Sequence, residues 1–386
     1  MPANPSGNPL LRLNALGQSV WYDYIRRDLL SGELARLIAE DGLKGMTSNP
    51  SIFEKAIAAS ELYDDDVRRA AAAGKGPEEI FESLAVADVR QAADVFRPVY
   101  EATGGNDGFV SIEVGPRLAL DTRGSIDEAR RLWKACDRPN VMVKIPGTEA
   151  GVPAIRQCLT EGININITLL FSVPRHRQVM EAYLQAMESR VAAGQPVGKI
   201  RSVASFFVSR VDTNVDKKLD AIAKAGDGAG GRSAADRQKA KDLRGRVGIA
   251  NARLAYQAFR EVFESPRFAK LKAKGVAVQR PLWASTSTKD PAYPDLYYIE
   301  ALIGPETVDT IPPETFAAYR DHGDPQVRIE DDLDGARAAF AGIAELGIDE
   351  AAVSQELEDE GVKKFTDSFD QLLKAVEGKE AAIRVS

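Results

Sequence analysis

The run VMVKIPGTEAG, residues 141 to 151, sets an amine inside an apolar stretch: Val141, Met142, Val143 and Ile145 flank Lys144. A strand-end lysine ordinarily snorkels to water, but these neighbours favour a buried amine, and burying an ammonium is costly. Burial therefore favours the neutral form, which can attack a carbonyl and form a Schiff base. The resulting iminium is an electron sink. It permits cleavage of the neighbouring carbon–carbon bond of a ketose, provided a carboxylate removes the hydroxyl proton. Asp23 in VWYDYI and Glu113 in VSIEV are the candidates for that acid and base work. Further polar residues stand within or at the ends of apolar runs: Thr47 and Asn49 in MTSNPS, Asn166 and Thr168 in NINITLL, Ser205 in VASFF. Singly, a strand Asn or Thr usually satisfies backbone groups. As a set, Asn49, Asn166, Thr168 and Ser205 could bind the hydroxyls of a polyol and position a water. This chemistry needs no cofactor.

Such groups converge if the strands that carry them close into a parallel barrel, whose strand C-termini and following loops build the active site. Short β-branched stretches do alternate with longer amphipathic ones, about eight times along the chain. Strands are expected at SVWYDYI near residue 20, KGMTSN near 46, GFVSIEV near 110, NVMVKIP near 142, ININIT near 165, RSVASFFVSR near 205, VQRPLWAS near 281 and TVDTIP near 309. Between them, SGELARLIAEDG reads as a helix capped by Ser31 and stopped by Gly42, and the run from Ser172 reads as a helix with Pro174 in its first turn. SIDEARRLWKACD reads as another. Residues 224–236, Gly-rich and aperiodic, read as a flexible surface insertion. From about 327 to 380 the pattern is helical, with Phe340, Ile343, Leu346, Phe365, Phe369 and Leu373 facing a core, and these helices are expected on the outside of the barrel. The whole chain, 1–386, reads as one domain.

Composition removes several classes. The chain of 386 residues is 44% hydrophobic and 28% charged, ordinary for a globular protein, and its net charge of −7 argues against nucleic acid or an anionic membrane as partner. No apolar run approaches the length of a spanning helix and no leader-like segment opens the chain, so a cytoplasmic location is expected. Two cysteines, Cys136 and Cys158, exclude a disulfide framework, and His176 and His322 cannot make a histidine-rich metal site, which leaves only carboxylate-bound Mg²⁺ open. No metal is expected. Two literal motif matches carry nothing. Gly226, Gly228 and Gly231 satisfy GxGxxG without following a strand, and the sequon at Asn166 lies in an apolar strand.

The stretches GMTSNPSIF, VSIEV, VMVKIPGTEAG, NINITLLFS, SFFVSRVD and RPLWASTSTKD, in this order between residues 20 and 290, resemble the transaldolases, class I Schiff-base enzymes of the pentose phosphate pathway. The length, the insertion and the VKIPGTEAG form resemble the longer bacterial type. The resemblance implies a single (β/α)8 TIM barrel with extra N- and C-terminal helices. It also implies transfer of a dihydroxyacetone unit from sedoheptulose 7-phosphate to glyceraldehyde 3-phosphate, giving erythrose 4-phosphate and fructose 6-phosphate. By the same resemblance Lys144 is the Schiff-base lysine, Asp23 exchanges a proton with the donor hydroxyl, and Glu113 works through a water held at Thr168. Asn49 and Asn166 hold the dihydroxyacetone moiety beside Ser205, and Thr47 hydrogen-bonds the aspartate. Arg210 and Ser285 fall at phosphate-binding positions. Ser287 stands where many members carry a second arginine, a departure that Lys289 would compensate. Phosphorylated sugars are the expected partners, and the outer helices suit a monomer or a homodimer. Two alternatives remain at this stage: a fructose-6-phosphate aldolase using the same lysine, and a catalytically inactive sugar-phosphate-binding barrel.

Overall fold

The computed structural model describes residues 7–58, 60–226 and 231–385. Eight strands are formed: β1 Gln18–Asp23, β2 Gly45–Thr47, β3 Phe109–Glu113, β4 Val141–Pro146, β5 Ile165–Leu170, β6 Ser202–Phe207, β7 Arg280–Ala284 and β8 Thr307–Ile311. They pair in chain order, and β8 closes onto β1 in parallel register from Gln18↔Thr307 to Tyr22↔Ile311. This is the expected (β/α)8 barrel, and each strand coincides with an expected one. Helices cover the outer face, so the strands are buried on both sides and read as apolar runs rather than alternating ones. β4 and β5 are buried along their whole length.

Alternation of side chains along each strand separates two layers in the bore. Asp23, Lys144, Ser205 and Thr310 face a cavity at the C-terminal mouth. Two residues below them, Trp21, Met142, Val203 and Val308 join Phe109 and Leu282 in a buried cluster. Gly45 accommodates that filling, since a Cβ there would meet the Trp21 ring at 2.6 Å. Below the polar layer the bore is therefore packed core.

Three local expectations need correction or qualification. The segment expected to begin a helix at Ser31 begins earlier: the Asp28 carboxylate accepts the Leu29 N–H, Leu29–Glu33 form a wider turn, and a regular helix follows over Leu34–Asp41. Ser31 lies inside that turn, its hydroxyl donating to the Arg27 carbonyl, so it caps nothing. Gly42 does end the helix, at φ 68. The 224–236 segment joins the helices Ser209–Lys224 and Ala234–Leu243, and its residues 227–230, Gly228 among them, lie outside those described.

The third correction concerns the C-terminal helices. Ile343, Leu346, Phe365 and Phe369 are buried, with Phe340 and Leu373 partly so. The last helix, Glu350–Val385, is not confined to the outside, because it lends Leu357, Glu360, Lys364 and Phe365 to the mouth cavity. Gly361 makes this approach possible. A Cβ there would stand 2.8 Å from Leu169 Cδ2, and Leu169 itself is held at φ 59 beside the register shift between β5 and β6. Among the described residues no helix is long and apolar enough to cross a membrane.

Candidate active site

Lys144 projects from β4 between two neighbours fixed by register: Glu113 on β3 and Asn166 on β5. Its side chain is 8% exposed, and Nζ lies 3.3 Å from Glu113 Oε2. The contact lacks hydrogen-bond geometry, and neither Glu113 oxygen nor Thr168 Oγ1 has a hydrogen-bond partner. The single hydrogen bond of Nζ is long, 3.4 Å to the Ser48 carbonyl. The amine is thus enclosed but loosely held. On its open side the ring of Phe365 lies 5.7 Å from Nζ.

Asp23, at the end of β1, is oriented more firmly. Thr47 Oγ1 donates to Asp23 Oδ1 at 2.7 Å and lies 2.6 Å from Thr310 Oγ1. A hydroxyl has one proton, so Thr310 must donate to Thr47, and the relay Thr310 to Thr47 to Asp23 fixes the carboxylate. A second relay crosses β3, β5 and β6: Ser205 Oγ donates to Asn166 Oδ1 at 2.7 Å, and Asn166 Nδ2 donates to Ser111 Oγ at 3.0 Å. Asn49 precedes the helix Pro50–Ala58 and accepts the Ile52 N–H through Oδ1. This leaves its NH₂ group as the end that can donate to a ligand.

Burial holds both carboxyls above the ordinary range. Asp23 is raised by desolvation, against the pull of Lys144, the Thr47 hydrogen bond, Arg210 and Lys289. Glu113 is raised in the same way, against Lys144, with Asp23 adding to the rise. An acid with raised proton affinity is a better base toward a hydroxyl near neutral pH. Two such groups beside one amine are arranged for proton transfer rather than for stability.

The mouth cavity has a volume of about 490 Å³. Of the residues singled out in the sequence, Asp23, Thr47, Asn49, Lys144, Thr168, Ser205, Arg210, Ser285 and Lys289 line it, whereas Glu113 and Asn166 do not. Those two lie behind the wall, touching Lys144 and Ser205 respectively. The outer end is cationic. Arg210 lies over the Phe207 ring at 4.9 Å and makes no ion pair among the described residues. Burial lowers its proton affinity, offset by Asp23 and Glu360, yet a guanidinium stays charged. Ser285, at φ 57, meets Ser209 through hydroxyls 2.9 Å apart. Ser287 accepts a hydrogen bond from Lys289 Nζ at 2.7 Å, which tethers that charge to the rim.

Sequence reasoning missed several wall residues. Thr310 stands next to the last residue of β8, and the rule that singled out polar residues at or near strand ends would have found it. Thr213, Asn214 and Lys217 follow Arg210 at helical spacing, a face legible only once Arg210 was assigned inward. Glu360, Lys364 and Phe365 carried no signal, since an amphipathic terminal helix reads as outer packing.

Relatives agree with this architecture along nearly its whole length. A "Transaldolase 2" from Nostoc sp. is 47% identical over 376 residues, 96% of this chain and 97% of its own. A "Transaldolase" from Thermobifida fusca is 48% identical over 378 residues, 97% of this chain and 99% of its own. One from Mycolicibacterium smegmatis is 47% identical over 381 residues, 98% of each chain. With the family model "Transaldolase/Fructose-6-phosphate aldolase" matching residues 20–376, this chain belongs to that family.

Proposed function

We propose that the protein is a transaldolase that moves a dihydroxyacetone unit from sedoheptulose 7-phosphate to glyceraldehyde 3-phosphate. The observation that carries this reading is the buried Lys144 amine, 3.3 Å from one raised carboxyl, Glu113, and in one cavity with another, Asp23. Lys144 attacks the ketose carbonyl, and water leaves to form the iminium. Glu113, acting through a water at Thr168 Oγ1, moves the protons of that addition and loss. Asp23 then takes the proton of the C4 hydroxyl, the C3–C4 bond breaks, and its electron pair enters the iminium to give an enamine on Lys144. Erythrose 4-phosphate leaves. The enamine carbon attacks the aldehyde of glyceraldehyde 3-phosphate, Asp23 returns its proton to the new hydroxyl, and hydrolysis of the iminium frees fructose 6-phosphate.

Arg210 and Lys289 hold the phosphate, a planar fork and a point charge on one dianion. Asn49 and Ser205 bind the hydroxyls of the three-carbon unit, with Asn166 setting the Ser205 hydroxyl. On this reading the protein works in the cytoplasm, in the pentose phosphate pathway, without a cofactor. The test is a transfer assay run in reverse, with fructose 6-phosphate and erythrose 4-phosphate supplied. Sedoheptulose 7-phosphate and glyceraldehyde 3-phosphate should appear in equal amounts, and EDTA should leave the rate unchanged. Tight binding of both sugars with no product would mean a binding protein, and loss of rate in EDTA restored by a divalent ion would mean metal chemistry.

A further inference from the structure

The enamine on Lys144 has two fates, and the chain must select between them. Attack on an acceptor aldehyde completes transfer. Alternatively the enamine carbon takes a proton from water to give an iminium. A water then adds to the iminium carbon, C2, the bond from C2 to Nζ breaks, and free dihydroxyacetone leaves with the lysine amine and the proton restored. Iminium hydrolysis ends both routes, whereas protonation of the enamine carbon belongs to the second alone, so access of solvent to that carbon decides the ratio.

We infer that Phe365, carried over the barrel mouth by the Glu350–Val385 helix, is a specificity-determining residue that favours transfer by keeping bulk solvent from protonating the enamine carbon on Lys144. The inference rests on the transaldolase reading above. Phe365 is 6% exposed, lines the cavity, and its ring centroid lies 5.7 Å from Nζ. The last helix gives the cavity two apolar side chains, Leu357 and Phe365, and it is the Phe365 ring that lies over the amine; Glu360 and Lys364 from the same helix are polar. An apolar ring there adds no proton donor and leaves no partner for a bridging water.

The helix is fastened on both sides of this ring. Upstream, Glu356 pairs with Lys218 at 2.8 Å, and Gly361 lets the backbone settle on Leu169. Downstream, Ser51 Oγ donates to Ser368 Oγ at 2.7 Å, Arg117 pairs with Asp370 at 2.6 Å, and Lys379 pairs with Asp64 at 2.6 Å. The Phe369 ring, one turn on, meets Phe81 edge to face with centroids 5.8 Å apart. A helix tied to six other elements holds its ring in one place, as a water barrier requires.

The test measures a ratio, free dihydroxyacetone released against sedoheptulose 7-phosphate formed, from fructose 6-phosphate and erythrose 4-phosphate. Borohydride trapping of the Lys144 adduct is run alongside. Phe365→Ala should raise the ratio about tenfold or more while the trapped adduct persists. Phe365→Leu keeps bulk but loses the ring face, and should raise it about threefold, which preserves the test if the alanine variant fails to fold. A merely structural role would lower both products together. An unchanged ratio in the folded leucine variant, with the adduct intact, would overturn the role of Phe365 and leave the transaldolase reading standing. Absence of an adduct in the unaltered protein would overturn both.

Discussion

The two ends of the barrel each hold buried carboxylates beside cations, around cavities of similar size, about 490 Å³ at the mouth and about 480 Å³ at the base. At the base, Asp107 is fully engaged: it accepts from Ser19 Oγ at 2.8 Å, from Trp21 Nε1 at 3.4 Å and from Arg280 at 2.9 Å. Arg201 nearby donates to Asn106 Oδ1 and to the Gly198 and Ile200 carbonyls. At the mouth, the Glu113 carboxylate accepts no hydrogen bond among the described residues and faces the Lys144 amine at 3.3 Å, and that amine has one long hydrogen bond. A satisfied buried network rigidifies a fold, whereas an unsatisfied one holds groups ready to exchange protons. The base therefore reads as a structural plug and the mouth as a reaction site, although a list of their residue types would look alike.

Breaking the mouth should cost activity and spare the fold. Lys144→Ala should lower turnover by at least about 10⁴-fold with an unchanged circular dichroism spectrum, and residual activity near the original would move the nucleophile elsewhere. Asp23→Asn should slow cleavage by about 10²- to 10⁴-fold with little effect on KM, so an effect confined to KM would assign Asp23 to binding.

Breaking the base should do the reverse. Arg280→Ala strands the Asp107 carboxylate and should destabilise by about 3 kcal/mol in urea unfolding, with kcat retained by the folded fraction. Loss of kcat without loss of stability would dissolve the distinction between the two ends. At the cationic rim, Arg210→Ala should raise KM for phosphorylated donors about tenfold or more and leave unphosphorylated ketoses unaffected. Equal losses for both substrate types would remove Arg210 from the phosphate site.

The smallest effect follows from linkage. The Asp23 carboxyl is raised in the folded state, so the folded form binds a proton more tightly than the unfolded chain does. Its contribution to stability is fully present below the unfolded carboxylate range and is lost as pH rises through the folded value. Asparagine does not ionise, so the stability of Asp23→Asn relative to the unaltered protein should grow between pH 4 and pH 8. A difference that shrinks over that interval would mean the carboxylate is better solvated than its burial implies.

Much of this was legible because barrel chemistry is written at strand ends. VMVKIP, VWYDYI and VSIEV each place one charged residue among apolar neighbours, a local anomaly that survives without knowledge of tertiary structure. The strands were readable for the same reason: burial on both faces leaves runs such as ITLL with few competing interpretations. What stayed hidden depends on long-range placement. Phe365 and Lys364 sit in a helix whose own periodicity satisfies an ordinary amphipathic pattern, and its place over the mouth depends on contacts with distant elements, among them the close approach of Gly361 to Leu169. The wider turn at Leu29–Glu33 was hidden because the Asp28 carboxylate, not Ser31, takes the first free N–H. Glu113 and Asn166 were found by type, but their place behind the cavity wall is set by neighbours on adjacent strands.

The most direct test of the central claim, that Lys144 is the nucleophile at the mouth, is reduction with borohydride in the presence of fructose 6-phosphate, followed by peptide mass spectrometry. A dihydroxyacetone-sized adduct on Lys144 is expected. Folded protein with that lysine unmodified would contradict it.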